Sequence, residues 1–268
     1  MTAVKFEQHV SVGHLVLCNP PDNPLGRAFA DDLTAAVHTA SESDIRALLV
    51  RSEGPDFGTG GAVAEWPGKS ASWFRTFIAE VNQAYNALEA LPIPTIAAVR
   101  GRAVGGHYEL ILHCDLIVTS PSATFVAVEA YTGMLQLAGG LQRLADRIGR
   151  NRALKLAFLA EPLSGEDALA FGLASHVVAD DKVEQLAADL ATKLASGPTQ
   201  SFGAMRALLK AWTNGGVAGA DALMLDLSMK LFDTDDAQRA FQALKDATSG
   251  GATKADAEIG GGVVFTGR

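Results

Sequence analysis

Residues 94–109 read Pro94-Thr95-Ile96-Ala97-Ala98-Val99-Arg100-Gly101-Arg102-Ala103-Val104-Gly105-Gly106-His107-Tyr108-Glu109. Thr95–Val99 is a short β-branched and apolar run bounded by turn residues, which predicts a strand. The pair Gly105-Gly106 predicts a turn into a helix, because glycine lets the backbone bend sharply and approach a ligand closely. The free N–H groups of the first helical turn favour negative charge near that turn. Glu109 falls about one turn into the same helix, inside the apolar run Tyr108-Glu109-Leu110-Ile111-Leu112. A buried Glu is rare unless paired or functional, and burial raises its pKa toward the range where it both gives and takes protons. Two readings stand side by side: an ion pair with Arg100 or Arg102, or an acid/base group.

Outward from this stretch, Gly13–Cys18, Ile45–Arg51 and Asp115–Thr119 also read as strands. Ala28–Ala40 and Ala71–Leu91 read as helices, the second with Phe74, Phe77, Ile78, Val81, Tyr85 and Leu88 on one side. Strands alternating with helices predict an α/β architecture. After about Gly139 the pattern is helical, through Leu141–Ile148, Ala153–Leu159, Gly165–Phe171, Asp181–Leu194 and Pro198–Trp212. Residues 249–262 are rich in glycine, alanine and small polar residues and read as a flexible linker.

A second glycine cluster, Gly58-Thr59-Gly60-Gly61, follows the strand that begins at Ile45. Two N–H donors from separate glycine turns, aimed at one oxygen, would form an oxyanion hole for an enolate. The plain alternative is a pair of tight turns that bind nothing. Glu129, in Phe125-Val126-Ala127-Val128-Glu129-Ala130, is a second acid in an apolar stretch. Two carboxylates facing one cavity can divide acid and base roles.

Composition narrows the field. The 48% hydrophobic and 19% charged content is that of a folding chain. The net charge of −8, without a basic cluster, argues against nucleic acid as a partner. Cys18 and Cys114 lie far apart with no metal-ligand spacing, so neither a zinc site nor a disulfide framework is expected, and a cytoplasmic location fits. The charged residues among the first ten leave no room for a signal-peptide core, and no apolar run approaches the ~20 residues of a membrane span.

The segment Ala97–Leu110, followed by His113-Cys114-Asp115-Leu116, resembles the central signature of the enoyl-CoA hydratase/isomerase (crotonase) superfamily. The likeness continues upstream through Ile45–Val50 and Phe57-Gly58-Thr59-Gly60-Gly61. Downstream it runs through Ala123-Thr124-Phe125, Glu129, Gly133 and Gly139-Gly140-Leu141-Gln142-Arg143-Leu144, then Ala168–Ala174 with Val177-Val178. It implies a right-handed spiral of ββα turns over residues 1–195, a helical trimerisation region over 196–250 and a flexible tail over 251–268. It implies an acyl-CoA substrate, no metal or redox cofactor, and a homotrimer or a hexamer built as a dimer of trimers.

Carried over by position, Gly61 and Gly106 become the oxyanion donors, and Glu109 and Glu129 the two hydratase acids. The acid matching Glu109 helps activate water, and the one matching Glu129 delivers a proton to Cα. Thr59, Ala62, Val63 and Ala64 fall where the family places substrate contacts; Trp66, Trp73 and Phe77 are further acyl-pocket candidates. The sequence also departs from the family pattern. Ala62 replaces a usual acid, His107 replaces a third glycine, Gln136 stands where proline is frequent, and Lys245 lacks its customary Arg-Pro neighbours. Arg27 is a candidate for the CoA phosphates. The implied activity is 2-enoyl-CoA hydration; enoyl-CoA isomerisation through Glu129 and catalysis-free acyl-CoA binding are the alternatives.

Overall fold

The computed structural model describes residues 2–249 and 263–267. Most of the tail expected over 251–268 therefore lies outside the described residues. The chain divides into two compact units. One holds the residues up to Leu91 together with Thr95–Ala191; the other holds Pro92–Pro94 and the residues from Thr192 on.

The first unit begins with strands β1 (Val4–His9) and β2 (Val12–Leu17), helix α1 (Arg27–Glu42), strand β3 (Ala47–Ser52) and helix α2 (Ala71–Ala90). Strands β4 (Thr95–Val99) and β5 (Arg102–Val104), helix α3 (Gly106–Ile111), and strands β6 (Leu116–Thr119) and β7 (Thr124–Val126) follow. Helices α4 (Gly140–Ile148) and α5 (Arg150–Leu159), strand β8 (Leu163–Ser164), helix α6 (Gly165–Ala170), strand β9 (His176–Val177) and helix α7 (Val183–Ala195) come next, with the division between the units falling inside α7.

A six-stranded sheet runs β1-β2-β3-β4-β6-β9, antiparallel at β1/β2 and parallel elsewhere. Parallel neighbours require crossover connections, which α1 and α2 supply on either side of β3. Every residue of β4 is buried, so this strand reads as a continuous apolar run without alternation. Leu48, Ile96 and Ile117 are wholly buried, each contributing about 1.5–3 kcal/mol of burial. A smaller sheet, β5-β7-β8, lies on the chain segments that flank Gly105 and Glu129.

The strands and helices legible in the sequence are present, with ends shifted by a few residues in the first unit, and β1 was not anticipated. The short strands β5, β7, β8 and β9 were not legible. At two to three residues each they are too brief to show an alternation of their own.

In the second unit, helix α8 (Thr199–Phe232) extends well past Trp212, with a non-helical break at Gly216 (φ 63°). No residue of α8 is buried, although Leu209, Trp212, Leu225 and Phe232 are large and apolar. Helix α9 (Asp235–Ser249) follows. Its buried Asp236 accepts hydrogen bonds from the backbone N–H groups of Thr266 and Gly267, at 2.7 Å each.

Candidate active site

A cavity of about 80 Å³ opens inside the first unit, lined by both carboxylates and both predicted oxyanion glycines: Gly61, Gly106, Glu109 and Glu129. Gly105, at the turn into α3, adopts φ 53°, a conformation suited to glycine, and its N–H is spent on the Val126 carbonyl. The next N–H, that of Gly106, has no acceptor among the described residues, and neither has that of Gly61. The peptides around them are fixed. The Gly60 carbonyl accepts from the Leu25 N–H at 2.9 Å, and the Gly106 carbonyl accepts from the Tyr85 hydroxyl at 2.9 Å.

His107 lies outside the cavity lining. Its ring is fully buried in T-shaped contact with Phe29 and Phe57, and Nδ1 accepts the Gly60 N–H at 3.2 Å. The residue after one glycine turn therefore holds the residue before the other. Burial pushes the His107 pKa down to about 3, so the ring remains a neutral acceptor.

Glu109 is 3% exposed, and its carboxylate is met by backbone alone. Oε1 accepts from the Leu137 N–H at 3.2 Å, while Oε2 accepts from Ala138 at 2.8 Å and Gly140 at 2.7 Å. Gly140 is the first residue of α4, where negative charge is favoured, and Leu137 and Ala138 lie in the segment leading into it. Gly140 permits the approach: a Cβ there would sit 2.6 Å from the Glu109 Cγ. A carboxylate offers about four lone-pair sites, so the three bonds leave room for about one more partner. Burial raises the Glu109 pKa to about 7, opposed by these backbone bonds and reinforced by the charge of Glu129. The alternative of an ion pair is excluded, since Arg100 pairs with Glu184 and Arg102 with Asp56.

Glu129 is half-buried at the start of a short 3₁₀ turn that follows β7. Its Oε2 accepts from the Gln136 side-chain amide at 3.0 Å. Burial raises its pKa, opposed by its own backbone N–H and then by the Gln136 bond. The remainder of the lining is largely apolar: Leu25, Val63, Trp66, Phe77, Met134 and Leu137 among others.

Of the expected substrate contacts, Val63 lines the cavity, whereas Thr59, Ala62 and Ala64 do not. The Thr59 hydroxyl is spent on the Asp22 carbonyl, and Ala64 is exposed. Trp73 stacks on Phe77 behind the lining. Arg27 is held by Asp31 and Glu80. Sequence reasoning missed the donors at 137–140, since backbone N–H groups leave no mark in residue type, and it missed Gln136 as a partner of Glu129.

The sequence model of the enoyl-CoA hydratase/isomerase family matches residues 7–248. The chain belongs to that family. A Bacillus subtilis protein named "Probable enoyl-CoA hydratase" is 28% identical over 91% of this chain and 95% of its own length. The human mitochondrial methylglutaconyl-CoA hydratase is 37% identical over 66% of this chain, a match that spans 54% of that relative. The crystal structure of an enoyl-CoA hydratase subunit from Geobacillus kaustophilus superposes with a TM-score of 0.85 at 26% identity, covering 91% of this chain and 95% of that one. The fold is accordingly the crotonase fold, and acyl-CoA thioesters are the substrates of the hydratase/isomerase family. Among the described residues no helix is long and apolar enough to cross a membrane.

Proposed function

We propose that the protein hydrates 2-enoyl-CoA thioesters with an uncharged acyl group. The observation that carries this reading is that two carboxylates with raised pKa values and the unengaged N–H groups of Gly61 and Gly106 line one largely apolar cavity. In this reading the thioester oxygen accepts from Gly61 and Gly106, whose N–H groups stabilise the negative charge that develops there. Glu109 takes a proton from water through its remaining lone-pair site as the water oxygen bonds to Cβ. The electron pair of the double bond moves into the enolate, which collapses as Glu129 gives its proton to Cα. The product is a 3-hydroxyacyl-CoA. Glu109 is left protonated and Glu129 ionised, and exchange with solvent restores the pair.

Among the described residues, the cavity lining includes no Lys, Arg or His. A methylglutaconyl group would bring its free carboxylate among these apolar side chains and beside two acids, a costly burial without a cation to meet it. The reading is tested with a panel of straight-chain 2-enoyl-CoAs and methylglutaconyl-CoA, following the loss of the conjugated enoyl absorbance. Turnover of the straight-chain thioesters is expected, and absence of turnover with all of them overturns the reading.

The three backbone donors on Glu109 support a second reading, in which Glu109 is structural and Glu129 alone moves a double bond as an isomerase. Glu109→Gln separates the two, because isomerisation of a 3-enoyl-CoA survives it only under the second. Self-association into trimers belongs to the same proposal, supported by the exposed apolar side chains of α8. Sedimentation equilibrium tests it, and a monomer at micromolar concentration defeats it.

A further inference from the structure

We propose that Gln136 is a positioning residue that decides which oxygen of Glu129 carries the transferable proton. The inference rests on Glu129 being the proton donor to Cα. Gln136 is 8% exposed and its amide Nε2 donates to Glu129 Oε2 at 3.0 Å. An oxygen that already bears a proton is a poor acceptor, so an amide donor fixed on Oε2 favours the acid form protonated on Oε1. Oε1 is the oxygen turned toward the oxyanion turn, 3.2 Å from where a Cβ on Gly105 would stand. The proton is thereby held on the oxygen beside the turn whose next residue, Gly106, offers its free N–H.

Glu109 is the one other titratable residue lining the cavity among the described residues, and its charge is coupled to that of Glu129. It is itself bonded by Leu137, Ala138 and Gly140, so the segment 136–140 serves both acids, Gln136 by its side chain and these three residues by backbone.

The test compares the full-length protein with Gln136→Met, which keeps similar length without a donor, and with Glu129→Gln. One readout is deuterium exchange at Cα of butyryl-CoA in D2O, which isolates the removal and return of a proton by Glu129 from water addition. The others are kcat, KM and the pH profile for crotonyl-CoA. Losing a bond to a charged acceptor is expected to lower α-exchange and kcat by a shared factor of about 10 to 100. KM should move by less than about 2-fold, since uniform binding is untouched. The limb governed by Glu129 should shift to higher pH, because a donor favouring the ionised form is gone.

Wild-type exchange, kcat and pH profile in Gln136→Met overturn the proposal while leaving Glu129 in its role. Exchange that survives Glu129→Gln, or that the unmodified protein lacks, overturns the role of Glu129 and this proposal with it. Should Gln136→Met fail to fold, Gln136→Leu carries the same expectations, and failure of both to fold makes Gln136 a residue of stability and overturns the proposal.

Discussion

Two carboxylates share one cavity and are held in opposite ways. Glu109 is almost inaccessible and bonded by three backbone N–H groups. Glu129 is half-buried and bonded by one side-chain amide. The difference shows how a fold makes two chemically identical groups unequal. The first is fixed and nearly saturated, suited to orienting a water. The second keeps an oxygen open to the cavity, suited to carrying a proton.

The comparison is broken most directly at the acids themselves. Glu129→Gln is expected to lower kcat for hydration by about 10² to 10⁴, the usual worth of a general acid or base, with melting temperature nearly unchanged. Glu109→Gln should lower kcat comparably and also destabilise. Its amide NH₂ group would face at least one backbone N–H donor, leaving buried donors unmet at a cost of about 1–3 kcal/mol. Calorimetric melting separates the two variants, and equal melting temperatures would remove the asymmetry.

Next in size is Gly140→Ala. Its methyl group would lie 2.6 Å from the Glu109 Cγ, and displacement of a catalytic group by about 1 Å costs on the order of 10²-fold in rate. Steady-state kinetics measure it.

The pH profile comes third. A base works only when ionised. Because burial lifts the Glu109 pKa to about 7, kcat should rise with pH up to about 7 and fall about 10-fold per unit below it. Glu129 must be protonated to act, and burial raises its pKa from the ordinary glutamate value, so activity should fall as pH rises through its titration. A rising limb near the ordinary glutamate value would contradict the burial of Glu109.

The smallest effect is expected from His107→Leu, which touches neither acid. It frees the Gly60 N–H at a cost of about 1–3 kcal/mol in stability, with kcat changing less than about 10-fold. Thermal melting and kinetics together check it.

Much of this site was legible before any coordinates. Glu109 and Glu129 stood out as acids in apolar stretches, and the ordered glycine turns gave their spacing from Gly61 and Gly106. The longer parallel strands β2, β3, β4 and β6 and the helices between them followed from apolar runs and turn residues. The partners of the acids did not. Leu137 and Ala138 act through N–H groups that every residue but proline possesses. Gln136 was visible only as a departure from proline, because its partner lies seven positions away through a turn that no local pattern announces. Thr59 resembled a substrate contact by position, but its hydroxyl is committed to Asp22.

The bonding of Glu109 by main chain has a consequence for how this protein tolerates change. No exchange of one side chain for another at Leu137 or Ala138 removes a donor from Glu109, short of proline. That acid is insulated from mutational drift in its own neighbourhood. Glu129 has less protection, since a single substitution at position 136 takes its side-chain donor away. Within one five-residue stretch, one acid is inherited with the backbone and the other remains open to retuning.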